Sequence, residues 1–313
     1  MNISFSQYTS AGLVRQNNED SLFAAENDRC ALFAVADGMG GHFGGELASG
    51  CMTEALGQWW KDFERSPIEF KDCAESLRQV ITEVNEKLYS KYSLKGQTCG
   101  TTIALLMIYA DRYILMNAGD SRVYCMRRGK VIKESVDHVF AAEARMAGEM
   151  TESEINSHKN KDKLTSAIGC RAEFKLNVKT APLTENSSFF ICSDGVYKYC
   201  SEKDIKKFIS IKDHTGTKAA VKALVEENGA RDNFSYIKII VGRGGKQEII
   251  HLLAALTVIM ILLTLASFQS GYNEPNRIED TVPAAENMMV REEEAPRSTL
   301  GASYRIITAE LND

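Results

Sequence analysis

The 313-residue chain has eight cysteines but no CxxC pair, and five histidines but no HxH or HExxH arrangement. Clustered thiolate or imidazole ligands are the usual basis of a zinc site, so zinc is not expected. Cys30, Cys51, Cys73, Cys99, Cys125, Cys170, Cys192 and Cys200 lie mostly within apolar runs. They are predicted to be buried, reduced thiols rather than disulfide partners. Net charge is missing from most of the chain, because residues 1–269 balance at 33 acids and 33 bases. A body without a basic excess gives no support for nucleic-acid binding. The N-terminus MNISFSQYTSAG has neither a basic start nor an apolar stretch, and no signal peptide is expected there.

The whole net charge of −5 arises after Ser270, where nine acidic residues face four arginines. That tail, 269–313, also holds three of the five prolines and is expected to be a disordered, extracytoplasmic extension. Before it, Ile249 to Phe268 reads IIHLLAALTVIMILLTLASF, with no formal charge. About 20 such residues suffice to cross a hydrocarbon core of ~30 Å as a helix. Lys238, Arg243 and Lys246 precede this segment, and only Arg277 follows it closely. The positive-inside rule then predicts a single-pass anchor in the inner membrane, with residues 1–245 on the cytoplasmic side.

Those first 245 residues alternate between β-rich and helical blocks. ISFSQYT, ALFAVAD, TTIALLMIY, RYILMNAG, RVYCMR, SSFFICSD and FSYIKIIVG read as strands, with Gly, Asp or Asn at their ends. Helical patterns fall at about 44–64, 71–92, 138–156, 202–210 and 215–228, and Ser201 reads as an N-cap with Asp204 three residues on. Strands follow one another without intervening helices after residue 101. The pattern is therefore not a doubly wound sheet but an α+β arrangement, a two-sheet β core flanked by helices.

Aspartates recur where these strands end. ALFAVA runs into Asp37-Gly38, SFFICS into Asp194-Gly195 and YILMNAG into Asp120-Ser121, while Arg231-Asp232-Asn233 opens FSYIKIIV. Each alone is an ordinary turn signal. Four together at core-strand ends can converge, and converging carboxylates require neutralisation, which a divalent cation supplies. All-oxygen donors favour Mg2+ or Mn2+ over zinc.

The motifs also occur in a telling order: Arg15-Gln-Asn-Asn-Glu19-Asp20, Asp37-Gly-Met-Gly-Gly-His42, Gly100-Thr-Thr102, Asn117-Ala-Gly-Asp-Ser-Arg122, Asp137-His138, Leu164-Thr-Ser-Ala-Ile-Gly169, Ser193-Asp-Gly195 and Arg231-Asp-Asn233. Over about residues 5–242 this series resembles the metal-dependent protein phosphatases of the 2C type, in their bacterial branch. The resemblance implies a four-layer αββα sandwich that hydrolyses phosphoserine and phosphothreonine in proteins by a metal-activated water. It implies two to three Mn2+ or Mg2+ ions. Asp37 would bridge two of them, with the Gly38 carbonyl on one and Asp194 and Asp232 on the other. Glu19 and Asp20 would act through bound waters, Asp120 with Asp194 would form a third site, and Arg15 would grip the substrate phosphate. Expected partners are phosphorylated proteins and a cognate bacterial Ser/Thr kinase system.

Many eukaryotic members carry His directly after Asp-Gly, where this chain has Met39. His42 is thus a candidate leaving-group acid, although a structural role beside the glycine turn is the stronger expectation. Residues 143–168 match the mobile flap of the family, where His158 and Lys159 could reach substrate. Other phosphatase classes fit less well: the Gly-Asn-His of calcineurin-like enzymes and the DxDx nucleophile of haloacid-dehalogenase phosphatases are absent. Cys192, beside Ser193-Asp194, is read as a core residue and not a nucleophile.

Overall fold

A computed structural model describes residues 2–40, 44–184, 187–242 and 256–263. In chain order the strands are β1 (Asn2–Ser10), β2 (Asp20–Glu26), β3 (Cys30–Met39), β4 (Gly100–Thr101), β5 (Ile103–Tyr109), β6 (Arg112–Ala118), β7 (Arg122–Arg127), β8 (Lys130–Lys133), β9 (Asn177–Pro182), β10 (Ser188–Cys192) and β11 (Phe234–Gly242). The helices are α1 (Gly44–Arg65), α2 (Phe70–Lys91), α3 (Phe140–Ala147), α4 (Glu152–Ser157), α5 (Asp194–Tyr197), α6 (Glu202–Ser210) and α7 (His214–Glu227).

Two antiparallel sheets form the centre, one ordered β1-β11-β10-β7-β8 and the other β2-β3-β5-β6-β9, with β4 on β3. The period-2 alternation of a strand assigns each residue to a layer. In β3, Ala31, Phe33 and Val35 enter the core between the sheets, where they meet Phe189, Ile191, Ile237 and Ile239. Leu32, Ala34 and Ala36 face the other way, onto Met52, Leu56 and Trp60 of α1 and Leu77 and Ile81 of α2. On the opposite sheet Phe190, Phe234 and Tyr236 pack against Ile205, Phe208 and Val221 of α6 and α7. Both faces of the central strands are buried, which is why ALFAVA and FFIC are apolar at every position rather than alternating.

Several expectations change. The predicted helix over 138–156 is two helices, because Gly148 closes α3 in the left-handed region at φ 68° and Thr151 opens α4 with a capping box to Glu154. The Ser201–Asp204 cap on α6 is present as expected. Strands β2, β8 and β9 escaped the sequence reading. All three are edge-proximal and carry polar or small residues, as in the KVIK of β8. Lys238 is fully buried, with its ammonium on the Ile211 carbonyl and the Thr217 hydroxyl. It therefore drops out of the charges expected to flank the 249–268 segment.

Most of the expected span 249–268 and all of the tail 269–313 lie outside the described residues, as does His42. Residues 256–263 are helical and exposed. No helix among the described residues is long and apolar enough to cross a membrane.

Candidate active site

Antiparallel pairing brings the aspartates together. Asp37 near the end of β3 lies opposite Asp20 at the start of β2. Across the sandwich, the end of β10 leads into Asp194 and the start of β11 follows Asp232. A hydrogen bond joins the two sheets at this edge, where the Ser193 hydroxyl donates to Asp20 Oδ2 at 2.8 Å. Asp120 follows β6 on the Gly119 turn, which has φ 95° and receives the His138 ring: the Gly119 N–H donates to His138 Nδ1 at 3.1 Å. The Asp37 backbone is pinned from both sides, because Asp37 N–H donates to the Thr102 hydroxyl at 3.1 Å and Thr102 N–H donates to the Asp37 carbonyl at 2.8 Å.

The electrostatics of this cluster are strained. Burial and the nearby charges of Asp20, Asp194, Asp120 and Asp232 push Asp37 well above the usual carboxylate range. Burial is the leading cause of the rise of Asp20 to about 7, opposed by the polar Ser235 and Ser193 side chains beside it. Asp120 rises to about 6, again chiefly from burial and then from Asp194. Among the described residues Asp20 Oδ1 is buried with no hydrogen-bond partner. An orphaned carboxylate oxygen facing further carboxylates is the donor chemistry of a hard cation. Among the described residues no group of three or more His, Cys, Asp or Glu side chains is drawn together closely enough to hold a metal ion as it stands. The donors that do converge are carboxylate oxygens, which suit Mg2+ or Mn2+ better than zinc.

Two side-chain cations already lie in the cluster. Arg15 Nη2 is 3.0 Å from Asp232 Oδ1, and the Lys198 ammonium pairs with Asp194 Oδ2. The Arg15 loop is held by Asn233, whose Oδ1 accepts from Glu19 N–H at 2.8 Å and whose Nδ2 donates to the carbonyls of Asn17 at 2.8 Å and Ala11 at 3.0 Å. Glu19 turns its side chain toward the start of α1, where Gly45 has no room for a Cβ against Glu19 Oε1. Gly195 is equally constrained, since a Cβ there would meet the Asn233 carbonyl at 1.9 Å.

A family model described as Protein phosphatase 2C matches residues 10–230. The chain belongs to that family. It is a serine/threonine protein phosphatase, in keeping with its relatives. It is similar to the serine/threonine phosphatase stp of Listeria monocytogenes, 27% identical over 235 residues that cover 74% of this chain and 93% of the relative. Among solved structures, the Streptococcus agalactiae serine/threonine phosphatase is 28% identical with a TM-score of 0.66, over 77% of this phosphatase and 100% of that chain. The Mycobacterium tuberculosis phosphatase PstP is 25% identical with a TM-score of 0.67, over 77% and 99%.

The structure of the phosphatase brings Asp20, Asp37, Asp120, Asp194, Asp232 and Arg15 to one edge. Within the flap, His158 stacks on Phe140 at 4.2 Å between ring centroids. Beneath the flap a cavity of about 530 Å³ is lined by Arg122, Lys133, Asp137, Arg145 and Lys161 among others. The sequence reading assigned no role to Asn233, Ser193, Tyr197 or Lys198. Asn233 and Ser193 stood inside quoted motifs, and the signal for Lys198 was its spacing of four from Asp194.

Proposed function

We propose that the phosphatase hydrolyses phosphoseryl and phosphothreonyl groups of proteins with Mn2+ or Mg2+ held by Asp37, the Gly38 carbonyl, Asp194 and Asp232, and with Glu19 and Asp20 acting through water. The observation that carries this reading is the buried, partnerless Asp20 Oδ1 within a set of carboxylates whose pKa values are forced upward. Bound divalent ions would supply charge neutralisation and acidify a water enough for attack on phosphorus at neutral pH.

The protein groups do the rest by position. Asp37 is fixed by Thr102 through both its backbone N–H and its carbonyl. Ser193 holds Asp20 Oδ2, and Asn233 holds the loop that carries Arg15. Arg15 is half exposed on that loop. Once Asp232 is neutralised otherwise, the guanidinium is released to take two phosphate oxygens in its planar fork. Losing two charge-assisted hydrogen bonds costs about 2–3 kcal/mol, so Arg15→Ala is expected to raise KM for a phosphothreonine peptide ~30–100-fold. Lysine at this position should recover only part of that loss. Steady-state phosphate release measures both, and an unchanged KM in Arg15→Ala would remove Arg15 from substrate binding.

The same reading extends to location. The uncharged stretch 249–268, preceded by Arg243 and Lys246, supports an inner-membrane anchor with the phosphatase domain cytoplasmic and 269–313 outside. Substrates would then be proteins phosphorylated by a bacterial Ser/Thr kinase at that membrane. The full chain should stay with carbonate-washed membranes, while external protease should remove the tail from intact spheroplasts. A full chain that remains in the soluble fraction would rule out the anchor.

A further inference from the structure

Asp120 and Asp194, the pair expected to hold a third ion, already have partners from this chain. The Tyr197 hydroxyl donates to Asp120 Oδ2 at 2.9 Å. The Lys198 ammonium sits on Asp194 Oδ2. The two contacts differ in burial: Tyr197 is half-buried, whereas the Lys198 side chain is 49% exposed over a largely buried Asp194 carboxylate. The Arg122 guanidinium lies 3.5 Å from the centroid of the Tyr197 ring, a cation–π contact. Arg122 is in turn gripped by the buried Asp137, with Nη2 at 2.7 Å and Nε at 3.1 Å from Oδ2. Lys198 follows Asp194 by one helical turn, and its own N–H donates to the Asp194 carbonyl at 3.0 Å. Four residues apart on one turn, an acid and a base meet without any long-range rearrangement.

Arg15 on Asp232 is the contrasting case. It comes from a loop distant in sequence and its partner is 39% exposed, so the acid's burial and the sequence separation set the two pairs apart, not the exposure of the cation, which is 50% for Arg15 and 49% for Lys198. The Asp194 carboxylate under Lys198 is only 16% exposed.

We propose that Lys198 and Tyr197 stand in place of the third cation, so that the site takes two divalent ions and not three. One ammonium compensates one of the two carboxylate charges, and the tyrosine hydroxyl fills an oxygen of the other. A divalent ion entering between them would have to lie beside a positive charge held on the same helical turn, which opposes its binding. The one oxygen of Asp194 left uncovered stays free for the proposed metal pair, on whose existence this inference rests.

Mn2+ stoichiometry at saturation tests it, read by electron paramagnetic resonance of free Mn2+ during titration of the full chain. The wild-type chain is expected to bind two ions, and Asp120→Asn is expected to bind two as well. Lys198→Ala should bind a third, which Asp120→Asn in that background should abolish. Lys198→Met replaces the alanine variant if the latter does not fold, with the same expected third ion. Three ions in the wild type, falling to two with Asp120→Asn, would overturn the inference and leave the metal pair standing. Two ions in both the wild type and Lys198→Ala would also overturn it, because the lysine would then exclude nothing. Fewer than two in the wild type would sink the metal pair, and this assignment with it.

Discussion

Asp37→Asn is expected to lower kcat for phosphopeptide hydrolysis by at least ~10³-fold while leaving the fold intact, a loss of about 4 kcal/mol of transition-state stabilisation. The substitution keeps the volume and the backbone hydrogen bonds to Thr102 and removes only the charge that would bridge the ions. Its effect on stability should have the opposite sign. In the metal-free chain Asp37 is a carboxylate pressed against four others, and neutralising it relieves that repulsion. The metal-free variant should therefore melt above the metal-free wild type at pH 8. Such a trade between stability and activity is the mark of a functional carboxylate and not of a structural one. A variant that loses activity because it melts lower would instead place Asp37 in the scaffold.

Stability should also depend on pH in a direction unusual for aspartates. A carboxylate whose folded pKa is raised binds more protons in the native state than in the unfolded chain, where its value is about 3.9. Its contribution is present at low pH and lost as pH rises through the folded value, here about 6 for Asp120 and about 7 for Asp20. Metal-free protein should thus lose melting temperature between pH 5.5 and pH 8. Protons and cations compete for the same oxygens, so Mn2+ should stabilise far more at the upper end. At a hundred times its Kd a ligand contributes about 2.7 kcal/mol, or roughly 5–10 °C for a domain of this size. Thermal melts with and without Mn2+ at both pH values measure the difference, in which groups away from the site cancel. An equal Mn2+ shift at pH 5.5 and pH 8 would show that these carboxylates do not bind the ion.

The parts of this fold most legible in sequence were the strands buried on both faces. ALFAVA of β3 and IALLMIY of β5 have no polar position because helices cover one side and the second sheet covers the other. Three of the four edge strands were not legible, since an NVKTAP strand such as β9 keeps its exposed face polar and offers no periodicity to read, whereas the edge strand β1 was read from ISFSQYT. The site divided in the same way. Asp37, Asp194 and Asp232 could be singled out because each sits where an apolar run meets a turn. Asn233, Ser193 and Tyr197 act through contacts spanning tens to hundreds of residues, such as Asn233 with Asn17 and Ser193 with Asp20. No local pattern encodes such a contact. Arg122 and Asp137 belong to quoted motifs, yet the grip of one on the other and of Arg122 on the Tyr197 ring is visible only in the structure.

As proposed, the phosphatase works through divalent ions held by strand-end aspartates. Phosphate release from a phosphothreonine peptide, followed in Mn2+ and then in excess chelator, tests it most directly. Turnover in Mn2+, its disappearance with chelator and its return on adding Mn2+ back are the predicted results. Turnover that persists unchanged in the chelated, metal-free protein would contradict the claim.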